Sequence, residues 1–240
     1  MLSSNEPAGE ETEGVKAFFD QWALYVKGME NNCLFHREAY AALRQLIKDR
    51  FNGLFSMLDL GCGDARFMSG ALKGTAVASY HGVDLSEVAL SFARKNLKGA
   101  GYRKIFTVAD FTEFVRGARE ETELIWIGLS LHHLPRPQKE IFAKDCRGLL
   151  KKDGCLVVYE PSRLEDETRE EFLVRWERMA RSEWKALSAE EIDAIYRHVA
   201  VADYPESLSG YQEVARGAGF GKTELIFTTP NGIYRLLCFS

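Results

Sequence analysis

Between residues 55 and 161 the chain alternates short apolar runs with longer segments of mixed polarity, and this alternation restricts the fold more than any other feature. Each run has the length of a buried strand, and the intervening segments place apolar residues at helical spacing. Strands that alternate with helices build a mostly parallel sheet covered by helices. The apolar runs occupy residues 55–60, 79–85, 104–109, 123–131 and 155–159.

The sequence therefore predicts an α/β fold of the doubly wound, Rossmann-like type with three layers, whose core is residues 51–161. Residues 1–14 are polar and acidic, which predicts a flexible tail. Residues 15–50 show two helical patterns, and residues 162–205 show two more, which form an insertion after the fifth strand. Residues 206–240 predict a helix and a hairpin of two final strands that complete the sheet.

Aromatic residues mark the helices on both sides of the core. The first insertion helix carries Phe172, Trp176, Met179 and Trp184 at helical spacing, and the second begins with the capping box Ser188–Glu191. Such a face either packs into a core or forms the wall of a binding site, and both alternatives stay open. The same holds for a cluster in the N-terminal helices, made of Trp22, Tyr25, Asn32, His36 and Tyr40.

A glycine loop, Gly61-Cys62-Gly63, follows the first strand directly. Two glycines at this place allow a tight turn and the close approach of a ligand to the N-terminus of the next helix. A dinucleotide fingerprint requires a third glycine three residues later, where this chain has Arg66. The loop also contains Asp64, which disfavours a pyrophosphate and favours a ligand that carries an ammonium or sulfonium group.

Acidic residues stand at the ends of the next two strands. Asp84 follows the loop at the distance expected for recognition of a ribose diol, and a carboxylate accepts both hydroxyl hydrogen bonds. Asp110 ends the third strand and is suited to accept from an adenine amine, with Phe111 or Leu85 against the ring. Each acid can alternatively cap the helix that follows it. Their occurrence at successive strand ends favours the ligand-binding interpretation.

Five segments together resemble the successive motifs of class I S-adenosylmethionine-dependent methyltransferases, especially the small-molecule group that contains ubiquinone and menaquinone biosynthesis enzymes. The resemblance covers residues 55–161 well and the C-terminal helix and hairpin more loosely. It implies a seven-stranded sheet, parallel except for one antiparallel strand near the C-terminus. The segments are Leu58–Asp64, Val83–Ser86, Ala109–Phe111, Leu129–Pro135 and Leu149–Gly154.

The resemblance also implies S-adenosylmethionine as cofactor, S-adenosylhomocysteine as product, and a role for individual residues. Gly61 and Gly63 would approach the methionine moiety and the ribose, with Asp59 shaping the loop. Asp84 would bind the ribose diol, and Asp110 with the Phe111 amide would bind adenine. Further cofactor contacts are expected from Leu85, Leu129, Ser130 and Tyr25. The helices at residues 15–50 and 162–205 lie outside the resemblance; we expect the first to cover the active site and the second to form either a lid or an oligomer interface.

A general base is needed only if the methyl acceptor is a hydroxyl group, and histidines are the main candidates for it. We assign the role to His132, His133 and His36; the sequence also offers Tyr159, Glu160 and His198. No metal is expected at His132 and His133, because adjacent residues on a strand point to opposite sides and no neighbouring carboxylate completes a ligand set.

Composition restricts which kind of molecule accepts the methyl group and indicates the cellular compartment of the protein. The formal net charge of −4 gives no electrostatic footprint for nucleic acid, and no apolar run has membrane-spanning length. Five scattered cysteines indicate free thiols and a cytoplasmic location. The sequence thus predicts methyl transfer to a small molecule, with a homodimer left open. The alternatives are an RNA or protein methyltransferase, a non-catalytic cofactor-binding regulatory protein and a nicotinamide oxidoreductase.

Overall fold

The structure, a computed structural model, describes residues 23–240, so the predicted tail, the first part of the N-terminal helices and Trp22 lie outside the described residues. Residues 23–30 are helical (α1), and a 3-10 turn occupies Leu131–His133. The remaining helices are α2 His36–Arg50, α3 Met68–Leu72, α4 Glu87–Asn96, α5 Phe111–Gly117, α6 Arg136–Leu149, α7 Arg169–Glu183, α8 Ala189–Ala202 and α9 Leu208–Gly217. The strands are β1 Phe55–Leu60, β2 Val77–Asp84, β3 Arg103–Val108, β4 Thr122–Gly128, β5 Leu150–Arg163, β6 Glu206–Ser207, β7 Thr223–Thr228 and β8 Tyr234–Phe239.

The central sheet has the strand order β3-β2-β1-β4-β5-β8-β7. Strands β1 to β5 pair in parallel, and β8 is antiparallel to both of its neighbours. This confirms the predicted Rossmann-like sheet with a C-terminal antiparallel hairpin. The strand order reverses between β1 and β4, and ligands of such sheets bind in the crevice at that point, beyond the carboxyl ends of the strands.

Two details of the sheet differ from the sequence prediction. Strand β5 begins at Leu150, ahead of the apolar run at residues 155–159, and continues to Arg163. Its extended end pairs in parallel with the two-residue strand β6, which adds an eighth strand. Ser162 fixes this addition, because its hydroxyl donates to the backbone oxygen of Glu206 over 3.0 Å.

Apolar side chains cover both faces of the sheet, as a three-layer fold requires. In β4, Leu124 and Trp126 belong to a core cluster packed under α2, α7 and α8, whereas Ile125 and Ile127 belong to a second cluster under α6 and α9. The alternation follows from the two-residue period of a strand. Among residues 23–240 we find no helix with the length and apolar character needed to cross a bilayer.

Helices α7 and α8 both begin with capping boxes, at Thr168 and, as predicted, at Ser188. Side-chain contacts join this pair to the residues that precede α2. The Lys27 ammonium lies 2.7 Å from a Glu191 carboxylate oxygen, and the Trp184 indole donates to the backbone oxygen of Cys33 over 3.0 Å. These two contacts hold α1 and the α7–α8 pair against each other beside the carboxyl end of the sheet.

Candidate active site

The glycine loop beyond β1 needs glycine for two separate reasons. Gly61 and Gly63 have φ of +65° and +53°, a region that side chains disfavour. A Cβ at Gly61 would also lie 2.5 Å from the Ser130 hydroxyl oxygen, which is closer than real contacts allow. The loop therefore packs against Ser130 at Gly61 and leaves a cradle open at Gly63, where an added Cβ would meet nothing within 4 Å.

The Asp84 carboxylate is fixed at the end of β2 by two backbone donors. Its Oδ2 accepts from the Gly63 amide and its Oδ1 from the Ser86 amide, both over 2.8 Å. The cap of α4 is Ser86, whose hydroxyl accepts from Ala89, so helix capping does not account for Asp84. Leu85 beside it is 69% exposed. Asp84 thus lies at the end of β2 beside the glycine loop, where the sequence predicts the ribose.

The Asp110 carboxylate caps α5, the alternative that the sequence left open. Its Oδ1 accepts from the backbone amides of Thr112 and Glu113 over 2.8 and 3.1 Å and from the Thr112 hydroxyl. Burial raises the pKa of Asp110, but these hydrogen bonds outweigh burial and lower the pKa overall. Phe111 meets Phe142 edge to face. The capping hydrogen bonds all use Oδ1 of Asp110, so the predicted hydrogen bond from the adenine amine would have to go to Oδ2.

Replacing Asp110 with asparagine separates the two roles. Asparagine caps a helix about as well as aspartate, so we expect the unfolding temperature to change by no more than about 2 °C. Its amide nitrogen would face the adenine amine, donor against donor, and affinity for S-adenosylhomocysteine should fall about 10-fold. Calorimetric titration with thermal unfolding measures both quantities. Unchanged affinity would assign Asp110 to capping alone.

Asp59 lies inside β1 and is 2% exposed. The Tyr80 hydroxyl donates to its Oδ2 over 2.7 Å. Burial raises the pKa of Asp59 from 3.8 to about 7; the Tyr80 hydrogen bond opposes this rise and the charge of Asp84 adds to it. Asp59 is therefore a buried residue of β1, two residues before the start of the glycine loop.

This pKa has a consequence for folding. Because the folded pKa lies above the unfolded one, the native state holds a proton that the unfolded state loses between about pH 4 and pH 7. Stability contributed by Asp59 therefore falls as pH rises through this window. We expect Asp59→Asn to gain free energy of unfolding relative to the parent by about 3 kcal/mol between pH 5 and pH 8. Urea unfolding of both proteins without cofactor tests this, and a pH-independent difference would contradict it.

A small cavity of about 30 Å³ adjoins the glycine loop. Its walls include Tyr25, His36, Phe67 and Leu129. His36 stacks on Phe67 with ring centroids 5.1 Å apart, and its Nδ1 is buried without a hydrogen-bond partner. Burial, helped by Arg66, lowers the pKa of His36 to about 4. A base with that pKa is weak at neutral pH, so His36 suits the role of a polar wall residue better than the predicted catalytic role.

A larger cavity of about 380 Å³ lies between α1, α7, α8 and the end of the sheet. Tyr25 and Leu129 line both cavities, so the two spaces meet there. Leu129 has a φ of +56°, a strained value for leucine, and its amide is held by the Tyr159 carbonyl over 2.8 Å. Aromatic side chains form much of the larger wall: Trp176, Trp184 and Tyr234. The aromatic face of α7 thus serves as core and cavity wall together.

Glu160, which is 1% exposed, organises the turn beyond β4. Its carboxylate accepts from the backbone amides of Ser130, Leu131 and His132 over 3.0, 2.8 and 3.2 Å. The same carboxylate lies 2.5 Å from the His132 Nδ1. An ionised carboxylate only accepts, so His132 donates through Nδ1, and in the neutral ring Nε2 is then the acceptor.

The two neighbouring histidines lie on the same side of the chain, and the predicted strand geometry at this place is wrong. His132 and His133 belong to the 3-10 turn, and their ring centroids are 4.1 Å apart. Asp203, at the end of α8, lies beside both, with its Oδ1 3.6 Å from the His132 Nε2 and 3.4 Å from the His133 Nδ1. Burial lowers the pKa of His133, but Asp203 outweighs it and the net pKa is raised. We call His132, His133 and Asp203 the histidine cluster; it lines the larger cavity.

Comparison with known proteins fits this arrangement. Residues 57–154 match the family described as methyltransferase domain. Residues 57–154 form a class I S-adenosylmethionine-dependent methyltransferase domain. The chain is 33% identical over 117 residues to a ubiquinone biosynthesis O-methyltransferase of Actinobacillus pleuropneumoniae, a match covering 46% of this chain and 48% of the relative. The matched part therefore spans about half the length of the curated relatives.

Solved structures show the same fold at low sequence identity. Magnesium protoporphyrin IX methyltransferase from Synechocystis, with bound S-adenosylhomocysteine, is 14% identical with a TM-score of 0.57, covering 85% of this chain and 82% of that one. A SAM-dependent methyltransferase from Leishmania major is 16% identical with a TM-score of 0.57, covering 85% and 71%. S-adenosylmethionine is the methyl donor of this class of domain.

The methyltransferase domain contains most of the predicted cofactor residues, and the structure places them along one edge of the sheet. Gly61 and Gly63 contact Asp84 and Ser130, and the loop lies beside Leu129. Tyr25 reaches the same place from α1. The Tyr159 hydroxyl is instead used in a hydrogen bond to the Leu34 carbonyl. His198 faces His133 across 5.5 Å between ring centroids. Sequence reasoning missed Asp203, since no motif surrounds it.

Proposed function

We propose that this chain transfers a methyl group from S-adenosylmethionine to a hydroxyl oxygen of a small, largely apolar molecule. The observation that carries the proposal is the shared wall of the two cavities at Tyr25 and Leu129. A ligand in the cradle of the glycine loop would present its methionine end at this wall. An acceptor in the larger cavity would approach from the other side.

Residues of the domain suit the methyl donor. The cradle at Gly63 is open to a ligand close to the backbone, and the unpartnered Nδ1 of His36 offers a polar contact in the same small cavity. His36 is uncharged at neutral pH because of its low pKa, so it adds no positive charge next to a sulfonium. When bound, the cofactor supplies an already activated methyl group for in-line displacement. The chain's contribution is alignment of the two reactants.

The larger cavity favours a small-molecule acceptor. A volume of about 380 Å³ lies in the range of small-ligand sites. Trp176, Trp184 and Tyr234 suit an apolar or planar body, and the histidine cluster gives one polar end. A hydroxyl directed at this end would have a destination for its proton. The O-methyltransferase relatives support oxygen as the methylated atom.

The test has two stages. Calorimetric titration with S-adenosylhomocysteine should show binding to one site per chain, and nicotinamide dinucleotide should not bind. Methyl-labelled S-adenosylmethionine is then incubated with phenols, aliphatic alcohols, amines, RNA and protein as separate acceptors. We expect label in the phenols or alcohols. Label in RNA or protein would overturn the small-molecule proposal, and binding without transfer to any acceptor would favour a regulatory protein.

A further inference from the structure

We propose that His132, His133 and Asp203 bind one divalent transition-metal ion at the polar end of the larger cavity, and that this ion binds the acceptor oxygen. The metal site stands on geometry alone. Its part in methyl transfer rests on the proposed function. The three side chains come from two places in the sequence, the turn after β4 and the end of α8.

Distances within the histidine cluster match a shared ion. One ligand atom from each of the three residues lies within 4.8 Å of the other two. The Asp203 Oδ1 is 3.6 Å from the His132 Nε2 and 3.4 Å from the His133 Nδ1. Two ligands about 2.1 Å from a tetrahedral ion are about 3.4 Å apart. The ligand atoms are thus spaced for coordination and are too far apart for strong direct hydrogen bonds.

Asp203 supplies a second, independent indication. The residue is 5% exposed, and its Oδ1 is buried without a hydrogen-bond partner. A buried carboxylate oxygen with only these two long histidine contacts is costly, because burial removes water and such contacts replace it poorly. A cation at this oxygen removes the cost. The other neighbour of His133 Nδ1 is the Ala202 carbonyl oxygen at 3.4 Å. Because this distance is near the limit for a hydrogen bond, the contact is weak and a metal ion could replace it.

Glu160 prepares His132 as a ligand. Metal-binding histidines commonly donate their second ring N–H to a carboxylate, which fixes the tautomer and the ring orientation. The Nδ1 of His132 makes that contact with Glu160 over 2.5 Å, and the Nε2 is thereby directed into the histidine cluster as an acceptor. A Tyr204 amide that donates to the His132 carbonyl over 2.7 Å ties the turn to the residue after Asp203.

The donor set selects the type of ion. Two imidazole nitrogens and one carboxylate oxygen suit zinc and other divalent transition metals, whereas magnesium and calcium prefer oxygen ligands. Three protein ligands leave a coordination position open, as catalytic zinc sites do. The open side faces the cavity that Trp176 and Tyr234 also line.

In the reaction we propose, the acceptor hydroxyl binds the ion through oxygen. Because the histidine nitrogens are then metal ligands and cannot accept the proton, the proton leaves to solvent. Coordination lowers the pKa of a bound hydroxyl, so the acceptor is held as its anion. The oxygen lone pair then forms the new O–CH₃ bond as the S–CH₃ bond breaks. The electron pair of that bond stays on sulfur, which gives neutral S-adenosylhomocysteine and the methyl ether.

Metal binding is measured directly on the full chain. Zn²⁺ titration by calorimetry should give one site, and Co²⁺ should give visible absorption bands of a four- or five-coordinate ion. His133→Ala and Asp203→Asn should each weaken Zn²⁺ binding by more than about 100-fold, since loss of a ligand exceeds the roughly 10–100-fold effect of an outer partner. His81→Gln is the matched control, a histidine on β2 that bonds Thr107 and lies outside the cluster.

The outcomes separate this proposal from the proposed function. If neither ion binds the parent protein, or if Asp203→Asn binds Zn²⁺ like the parent, the metal site is wrong. Methyl transfer that survives complete chelation, with S-adenosylhomocysteine still bound, would remove the ion from the reaction. Loss of S-adenosylhomocysteine binding in the parent protein would instead contradict the proposed function. Circular dichroism of each variant shows whether it is folded, and titration is compared only among folded proteins.

Discussion

Asp84→Ala should lower the affinity for S-adenosylhomocysteine by about 100-fold or more, one of the two largest effects that we expect. The carboxylate is the proposed partner of the ribose diol, and each hydrogen bond to a charged group contributes about 1.5 kcal/mol or more. Two lost bonds therefore cost about 3 kcal/mol, or two powers of ten. The Gly63 and Ser86 amides also lose their acceptor, which loosens the glycine loop.

The control for this variant is Glu87→Gln. Glu87 lies three residues farther along, at the start of α4, and pairs with Arg94 on the surface. Its substitution changes the charge near the site by the same amount without touching the loop. Calorimetric titration of both variants is the measurement. If Asp84→Ala bound S-adenosylhomocysteine within about 3-fold of the control, Asp84 would not contact the ligand.

The grouping of the proposed cofactor residues was predictable because its signals are local. Gly61, Asp84 and Asp110 each stand where a strand ends, and parallel strands bring their carboxyl ends to one edge of the sheet. Strand and helix periodicity therefore located these residues together without any knowledge of long-range contacts. The cap role of Asp110 was also visible as an alternative, since acids favour that position.

The acceptor side was not predictable in the same way, because its contacts join distant parts of the chain. His132 meets Glu160 from 28 residues away and Asp203 from 71, and no spacing rule relates them. The apolar run that ends at Leu131 also predicted that the strand continues through the histidines. Instead, three successive backbone amides donate to the Glu160 carboxylate, and this requires a tight turn. A strand would have pointed His132 and His133 apart and so disfavoured a shared metal, whereas the 3-10 turn brings their ring centroids to 4.1 Å.

Glu160→Gln should abolish most methyl transfer, with a loss of about 100-fold, and weaken Zn²⁺ binding about 10-fold or more while S-adenosylhomocysteine still binds. The glutamine oxygen can keep the Ser130 and Leu131 amides as donors. Its NH₂ group would then face the His132 Nδ1, which must become an acceptor, so the ring proton moves to Nε2. A protonated Nε2 points a donor at Asp203 and cannot bind an ion or accept a proton.

Nitrogen-15 NMR of the imidazoles reads this tautomer directly, because protonated and unprotonated ring nitrogens have different chemical shifts. In the parent protein we expect the His132 proton on Nδ1, and in Glu160→Gln on Nε2. A general loss of structure would lower S-adenosylhomocysteine affinity as well, so retained affinity identifies the effect as one on the histidine. Wild-type transfer in a variant with the switched tautomer would show that the Nε2 lone pair of His132 takes no part in the reaction. The tautomer set by Glu160 therefore links the stability of the turn to the chemistry of the cavity.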